Sequence, residues 1–277
     1  MTAVTAPATP VMAAVPSGRA GLRQAVRSEW TKFWTVRSTP ISFAATAVAV
    51  IGICVLTTAT VKVGDTVADP TRRSLIGFLL GQLAIGVLGV LVITAEYSTG
   101  TIRATFAAMP RRPVVLMAKV LVFGAVTLVV SEALAFVCFA VGQAILSGTV
   151  PTASLGQPGV LRAVVGAGIY LAFLGLFALG IGSVLRHSAG AITTYAGILL
   201  VLPLIVQTLP TSVQNAVSRY MPANIGVGVF SVRPHLHVPT RVLEAPAFGP
   251  WAGLGVLLAY AAAALVIGGV LLVRRDA

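Results

Sequence analysis

The chain has 277 residues, of which 57% are hydrophobic and only 9% are charged. A soluble domain carries about 25% charged residues, so this chain has too few charges to cover a surface in water, and we expect lipid to cover it. The formal net charge is +12, but the basic residues stand at the ends of apolar runs and form no single stripe. That placement argues against nucleic acid as a partner and favours contact with anionic membrane lipid.

The first 19 residues are rich in Ala, Thr and Pro and contain no Lys or Arg before Arg19. A signal peptide needs a basic start and a continuous apolar core, and this segment has neither. We therefore predict a disordered cytoplasmic tail over residues 1–19, followed by one membrane domain over residues 20–277.

Residues 20–37 are predicted to form an amphipathic helix in the headgroup plane. Leu22, Val26, Trp30 and Phe33 recur at helical spacing and define an apolar face, which suits an interfacial helix. The polar and charged residues of interest on this helix are Arg23, Arg27, Glu29 and Lys32. The helix is either a simple anchor or a lever joined to a cytoplasmic partner, and the periodicity favours neither.

Six segments are apolar over the roughly 20 residues that a helix needs to cross the hydrocarbon core. They cover residues 41–61, 75–95, 118–140, 163–185, 190–209 and 251–273. The chain is thus predicted to be an all-α integral membrane protein with six transmembrane helices. An even number of spans puts both termini on one side. The positive-inside rule then favours the cytoplasm, because the inner segments are the more basic.

Residues 96–112, between the second and third spans, predict a short amphipathic helix at the membrane surface. Ile102, Phe106 and Met109 fall on one helical face, and Pro110 ends the helix. Two interpretations stay open at this point. The apolar face either docks onto a partner protein or rests on lipid headgroups.

Two further connections have recognisable patterns. Arg186 and His187 lie in a tight cytoplasmic turn between the fourth and fifth spans, and Pro203 is expected to kink the fifth. Residues 210–249 form an outer loop in which we expect short apolar helices that dip into the outer leaflet.

The motifs of several enzymes are missing from the sequence. The three lysines are Lys32, Lys62 and Lys119, and none lies in a Walker A loop, so the chain has no such site for ATP hydrolysis. No HExxH or GxSxG motif occurs. The histidine pair His235 and His237 lies in a proline-rich loop and is not expected to hold a metal. We expect this chain to be no enzyme and to bind no cofactor itself.

Glu132 is the one carboxylate well inside an apolar run. An ionisable group at this depth is costly and usually faces protein or water. It either recognises substrate in a transport path or joins helices as a hydrogen-bonded carboxyl, with neighbouring Ser131 as a candidate partner, and we favour the structural role.

Three stretches carry a resemblance to a known family. They are Ser28-Glu29-Trp30-Thr31-Lys32; then Glu96 to Arg103 with Pro110-Arg111-Arg112; then Leu185 to Ile192. At these depths in a six-span layout, they resemble the permease subunits of ABC type-2 exporters, including actinobacterial members. The resemblance covers roughly residues 20–277.

The resemblance implies the membrane half of an ATP-driven exporter in a bacterial cell membrane. Two separate ATPase subunits would bind ATP and Mg, and a second permease, identical or homologous, would complete the complex. Efflux of a lipophilic or amphipathic compound, a lipid or a peptide would follow, with drug resistance as one result. Residues 20–37 would be the connecting helix.

The same resemblance places the coupling helix in residues 96–112. Glu96 and Gly100 would shape the turn into it, and Thr101 would cap it or contact the partner. Ile102, Phe106 and Met109 would enter an ATPase groove, with Arg103 at its rim. Arg186 and His187 would make a second, smaller contact.

Two rival functions are kept beside the exporter. A proton-coupled secondary exporter would use Glu132 and need no ATPase, whereas a membrane sensor or scaffold subunit would bind partners without moving a substrate. The sequence defines neither the substrate nor the direction of transport.

Overall fold

The computed structural model of the chain describes residues 21–232 and 248–275. The predictions for the tail 1–19 and for His235 and His237 lie outside the described residues. Within those residues the chain is all-helical. The helices are α1 (Leu22–Thr35), α2 (Ser38–Ala59), α3 (Pro70–Leu75), α4 (Phe78–Ser98), α5 (Thr101–Ala108), α6 (Arg112–Leu146), α7 (Val160–Leu185), α8 (Ser188–Ala196), α9 (Leu202–Gln207), α10 (Thr211–Ser218), α11 (Pro222–Phe230) and α12 (Pro250–Arg275).

The six predicted spans are confirmed among the described residues, with shifted ends. The segments long and apolar enough to cross a membrane are Ser38–Ala59, Pro70–Ser98, Arg112–Leu146, Val160–Leu185, Ser188–Gln207 and Pro250–Arg274. The second span starts earlier than predicted because Asp69 caps α3. Its Oδ1 accepts the backbone N–H of Arg72 at 2.9 Å, and Pro70 suits the first helical turn.

Helix α7 lies at the centre of the bundle. In its span 72% of the apolar stretch is buried, against 22% for the fifth and sixth spans. Helices α4, α6 and α12 pack around it. Small residues allow this close approach: a Cβ on Gly89 of α4 would collide with the carbonyl oxygen of Gly175 on α7.

The fifth span is interrupted near Pro203. A π-helical turn over Gly197–Val201 joins α8 to α9. Proline supplies no backbone N–H and its ring crowds the preceding turn, so a wider turn ahead of Pro203 relieves both problems. A single π turn of this kind is one recognised source of helix kinks.

The interfacial helix α1 turns one side to the bundle and another away from it. Ala25, Glu29 and Phe33 are buried, whereas Leu22 and Trp30 of the predicted apolar face are exposed. Phe33 thus packs on the protein, and Leu22 and Trp30 face outward. Its exposed apolar residues suit contact with lipid headgroups.

The predicted short helices after the fifth span are present as α10 and α11. Helix α11 does not simply dip into lipid, because Ile225 and Phe230 are buried in the protein core. Gly226 of α11 lies directly against the ring of Tyr170 on α7. This end of the bundle is thus closed by packed protein.

The packing of α4 on α7 gives a first prediction. Gly89→Ala should destabilise the protein by about 1–3 kcal/mol, the usual effect of overpacking. Unfolding in detergent micelles measures it. Gly52→Ala on α2 is the matched control, since its Cβ would meet no atom within 4 Å. Equal stability of the two variants would contradict the close α4–α7 contact.

Candidate functional site

Four charged side chains form one buried network at the end of the bundle that carries α1 and α5. The Lys119 ammonium donates to Glu29 Oε2 at 2.8 Å and to Glu96 Oε1 at 2.6 Å. Lys32 donates to Glu29 Oε1 at 2.9 Å and to Glu96 Oε1 at 3.1 Å. Two carboxylates and two ammonium groups thus alternate around a closed, electrically balanced set of contacts.

Each member of the network comes from a helix that the sequence predicts. Glu29 and Lys32 lie one turn apart on α1, and Glu96 lies in the last turn of α4. Lys119 lies near the start of α6. The network therefore fixes the interfacial helix to the second and third spans.

Burial makes this network energetically important. The side chain of Lys119 is only 2% exposed, and that of Glu29 is 9% exposed. A buried ammonium loses its hydration and remains charged only when counter-charges replace the water. Lys119 thus requires both carboxylates. Since α1 supplies one of them, Glu29, this ion pair holds α1 against α6.

Lys32 lies at the more open side of the same network. Burial alone would lower its pKa, but the hydrogen bond and charge of Glu29, together with Glu96, outweigh this and raise the pKa above the ordinary lysine value. Lys32 is therefore cationic at neutral pH. Its Nζ also lies 3.4 Å from Thr105 Oγ1 on α5, so the network reaches the predicted coupling helix.

The turn into α5 depends on one glycine. Gly100 has φ of 73°, in the left-handed region that glycine adopts without strain. The predicted role of Gly100 in the turn agrees with this geometry. Glu96 instead points into the ion-pair network, and Thr101 does not cap α5, since its hydroxyl contacts that of Thr99 at 2.9 Å.

The predicted apolar face of α5 is not free for a partner. Ile102 is buried against this chain with 7% exposure. Phe106 is half-buried, and the Arg112 guanidinium lies over its ring, with Arg112 Cζ 5.5 Å from the ring centroid. Met109 follows the end of the helix in extended backbone. Contact of these three residues with an ATPase groove stays a prediction, and Ile102 packs on its own chain.

The exposed side of α5 is mostly small. It comprises Thr101, Arg103, Ala104, Ala107 and Ala108, which we call the α5 outer face. Alanine side chains allow another helix or a shallow groove to approach closely, and Arg103 adds one positive charge. This face, and not the Ile102 side, is open to a partner.

The α7–α8 turn lies at the same end of the bundle. Arg186 has φ of 55°, donates to the Leu271 carbonyl of α12 at 3.0 Å and lies over the Tyr97 ring. His187 caps α8, since its Nδ1 accepts the Gly190 N–H at 3.2 Å. Arg186 thus ties α12 to α4, and the exposed His187 is the residue of this pair that faces outward.

The other predicted residues of α1 lie outside the network. Arg23, Arg27 and Trp30 are all exposed, and the Trp30 ring meets Trp34 edge-on at 5.8 Å between centroids. These side chains are available to lipid or to a partner.

Glu132 lies far along α6 from the network. Its carboxyl packs on Gly168 of α7, so it faces protein. The suggested hydrogen bond to Ser131 is not formed, since neither Glu132 Oε2 nor the Ser131 hydroxyl has a partner among the described residues. The carboxyl is hydrogen-bonded by the backbone of Ile169 on α7 as well as packed on Gly168, which agrees with the helix-joining interpretation.

The described residues contain no group of three or more His, Cys, Asp or Glu side chains that could hold a metal. The two cysteines are buried, and the Cys54 thiol donates to the Cys138 carbonyl at 3.2 Å.

Sequence reasoning missed Lys119 as a member of the site. The signal was present, because a lysine within an apolar helix requires a counter-charge. Few carboxylates could supply one, since the chain has only 7 acidic residues. That shortage narrows the possible partners of Lys119, and the tertiary structure identifies them as Glu29 and Glu96.

A bundle of six helices long and apolar enough to cross a membrane indicates a multi-pass membrane protein. The family model described as ABC-2 family transporter protein matches residues 20–277. The chain therefore belongs to the ABC-2 transporter family, and it is a membrane transport subunit and not itself an ATPase. Membership implies partnership with an ABC ATPase subunit. A search of the curated proteins found no match.

The network gives a second prediction. Lys119→Met leaves two buried carboxylates with one ammonium and should destabilise the protein by about 3–5 kcal/mol, as breaking a buried pair does. Chemical unfolding in micelles measures it, with Lys62→Met at an exposed position as control. Adding Glu96→Gln should restore part of the loss. A Lys119→Met variant as stable as Lys62→Met would contradict the network.

Proposed function

We propose that the chain is the permease of an ATP-driven exporter, in which separate ATPase subunits move α5 and α1 and thereby the spans. Two ATPase subunits, carrying ATP and Mg, and a second permease would complete the assembly. The proposal extends the family assignment to a direction, an energy source and a stoichiometry.

One observation carries the proposal, namely the ion-pair network that joins α1, α4 and α6 and reaches α5. A force on α1 would pass to the second and third spans through the contacts of Lys119, and a force on α5 would reach the network through Thr105 Oγ1, 3.4 Å from Lys32 Nζ. Lys119 Nζ lies within 2.8 Å of both carboxylates. A stiff connection of this kind is what mechanical coupling to a nucleotide-driven partner requires.

The α5 outer face is the proposed main contact with the ATPase. Its small side chains suit a close helix-in-groove fit, and Arg103 offers an ion pair at the rim. Exposed His187 would add the smaller contact. Arg23 and Arg27 on α1 would add charged contacts to the same partner. Ile102 and Phe106 would act from behind, by fixing α5 on the permease.

This arrangement requires the network end of the bundle to face the cytoplasm, where ATP is present. The distribution of Lys and Arg supports that orientation. We propose a bacterial cell membrane as the location, with both termini inside. The substrate would be lipophilic or amphipathic, in keeping with spans whose exposed residues are almost all apolar.

The coupling surface gives a third prediction. Ala104→Asp places a charge on the α5 outer face and should abolish transport-linked ATP hydrolysis and copurification of the ATPase, while the permease stays folded and inserted. Affinity purification of the tagged full chain from its native membrane, followed by ATPase assay in proteoliposomes, measures both.

Thr152→Asp is the matched control, because Thr152 is exposed on the α6–α7 loop at the other end of the bundle. Normal copurification and activity of Ala104→Asp would reject α5 as the contact. Transport that persists without any ATPase and collapses with a protonophore would instead support the secondary exporter that uses Glu132.

A further inference from the structure

A pocket of about 230 Å³ lies between α1, the start of α2, α4 and α6. It borders the ion-pair network but extends beyond it along the spans. Most of its wall is apolar, formed by Phe33, Phe43, Leu88, Leu91, Val122 and Phe123. Such a pocket accepts a hydrocarbon segment and not a fully polar solute.

One end of the pocket is polar. Glu29, Lys32, Glu96 and Lys119 line this end, and the hydroxyl residues Ser38, Thr39 and Ser42 belong to its lining. Glu96 uses only Oε1 in the network. Its Oε2 is buried and accepts no hydrogen bond from any described residue. A buried carboxylate oxygen without a hydrogen-bond donor is unfavourable. A bound molecule that donates an N–H or O–H to this oxygen would therefore be stabilised.

The tryptophans beside the pocket indicate its level relative to the membrane. Its wall residue Phe33 packs edge-on against Trp34, with ring centroids 5.6 Å apart. Trp34 and neighbouring Trp30 are about half exposed, at 52% and 49%. Exposed tryptophans at the end of a membrane bundle mark the interface between hydrocarbon and water. A molecule in this pocket would have its polar end level with them.

The charges at the polar end select the chemistry of the occupant. Two carboxylates and two ammonium groups already balance, so an anionic headgroup would gain no net attraction. The vacant acceptor on Glu96 favours a headgroup that donates hydrogen bonds. Lys32, with 39% side-chain exposure, is the more open of the two ammonium groups, and its positive charge would attract a phosphate that lies beside it.

We propose that this pocket binds one aminophospholipid with a primary ammonium headgroup, of the phosphatidylethanolamine type. Its ammonium donates to Glu96 Oε2, its phosphate meets Lys32, and the first part of an acyl chain fills the apolar walls. The lipid thereby becomes part of the contact between α1 and the second and third spans. This binding goes beyond the proposed export function and does not depend on it.

The test uses the purified full chain in phosphatidylcholine vesicles with a photoactivatable phosphatidylethanolamine as probe. Crosslinks should map to the segments 33–43 and 88–96. Unlabelled phosphatidylethanolamine should compete about tenfold better than phosphatidylcholine or phosphatidylglycerol, since only a primary ammonium donates to Glu96. Leu91→Trp should fill the pocket and remove most of this labelling.

Leu80→Trp is the matched control, because Leu80 lies on the same helix, is similarly exposed at 40% against 37% for Leu91, and is outside the pocket. Labelling that resists Leu91→Trp, or that all three lipids compete equally, would overturn the proposal and indicate unselective lipid around the protein. Because the readout is crosslinking, an inactive transporter would leave the result interpretable.

Discussion

The buried ammonium group of Lys119 is the constraint on which the functional end of the molecule depends. Its side chain is almost completely removed from solvent, so it requires Glu29 and Glu96 as close counter-charges. Glu29 belongs to a helix that lies outside the spans, and Glu96 belongs to the second span. One charge in the third span therefore determines where α1 rests and how the end of α4 is held.

The rest of the bundle provides the rigid frame for this network. Glycine contacts bring α4 onto α7 without intervening side chains, and α12 is tied to the same end by Arg186 and Arg112, which donate to the carbonyls of Leu271 and Leu272. The ion-pair network and these hydrogen bonds to α12 are therefore attached to the same packed helices. The two helices that lie outside the spans at this end, α1 and α5, are held through polar contacts and a few apolar residues.

The sequence predicted the six spans and the helix before them, because long apolar runs and their breaks are local properties. The ends of the third span were less accurate, since Arg112 and Pro113 begin the helix before the apolar run does. The periodicity of α1 could not show which residues pack on the bundle, because it takes no account of an ion pair from Glu29 to another helix. The same limit applies to Ile102, since an apolar residue on a short helix can pack on its own chain.

The candidate site was predictable in part. Gly100 has the turn geometry expected of it, and Glu29, Lys32 and Glu96 were each selected from the sequence. The contact of these residues with Lys119 was not predictable, because it joins residues up to 90 positions apart and depends on the tertiary arrangement of three helices. The partner of Glu132 was equally beyond reach, since it is the backbone of Ile169 beside Gly168 on another helix and not the neighbouring Ser131.

The length of α6 has a consequence of its own. With 35 residues, it is about 52 Å long, well over the roughly 30 Å of hydrocarbon in a bilayer. Near its far end the Gln143 amide donates to the Ser74 hydroxyl at 2.9 Å and to the Pro70 carbonyl at 3.1 Å. One unbroken rod therefore connects Lys119 with the opposite rim of the bundle. A small tilt of α6 at its charged end would displace its other end sideways. This one helix therefore connects the two membrane surfaces of the protein mechanically.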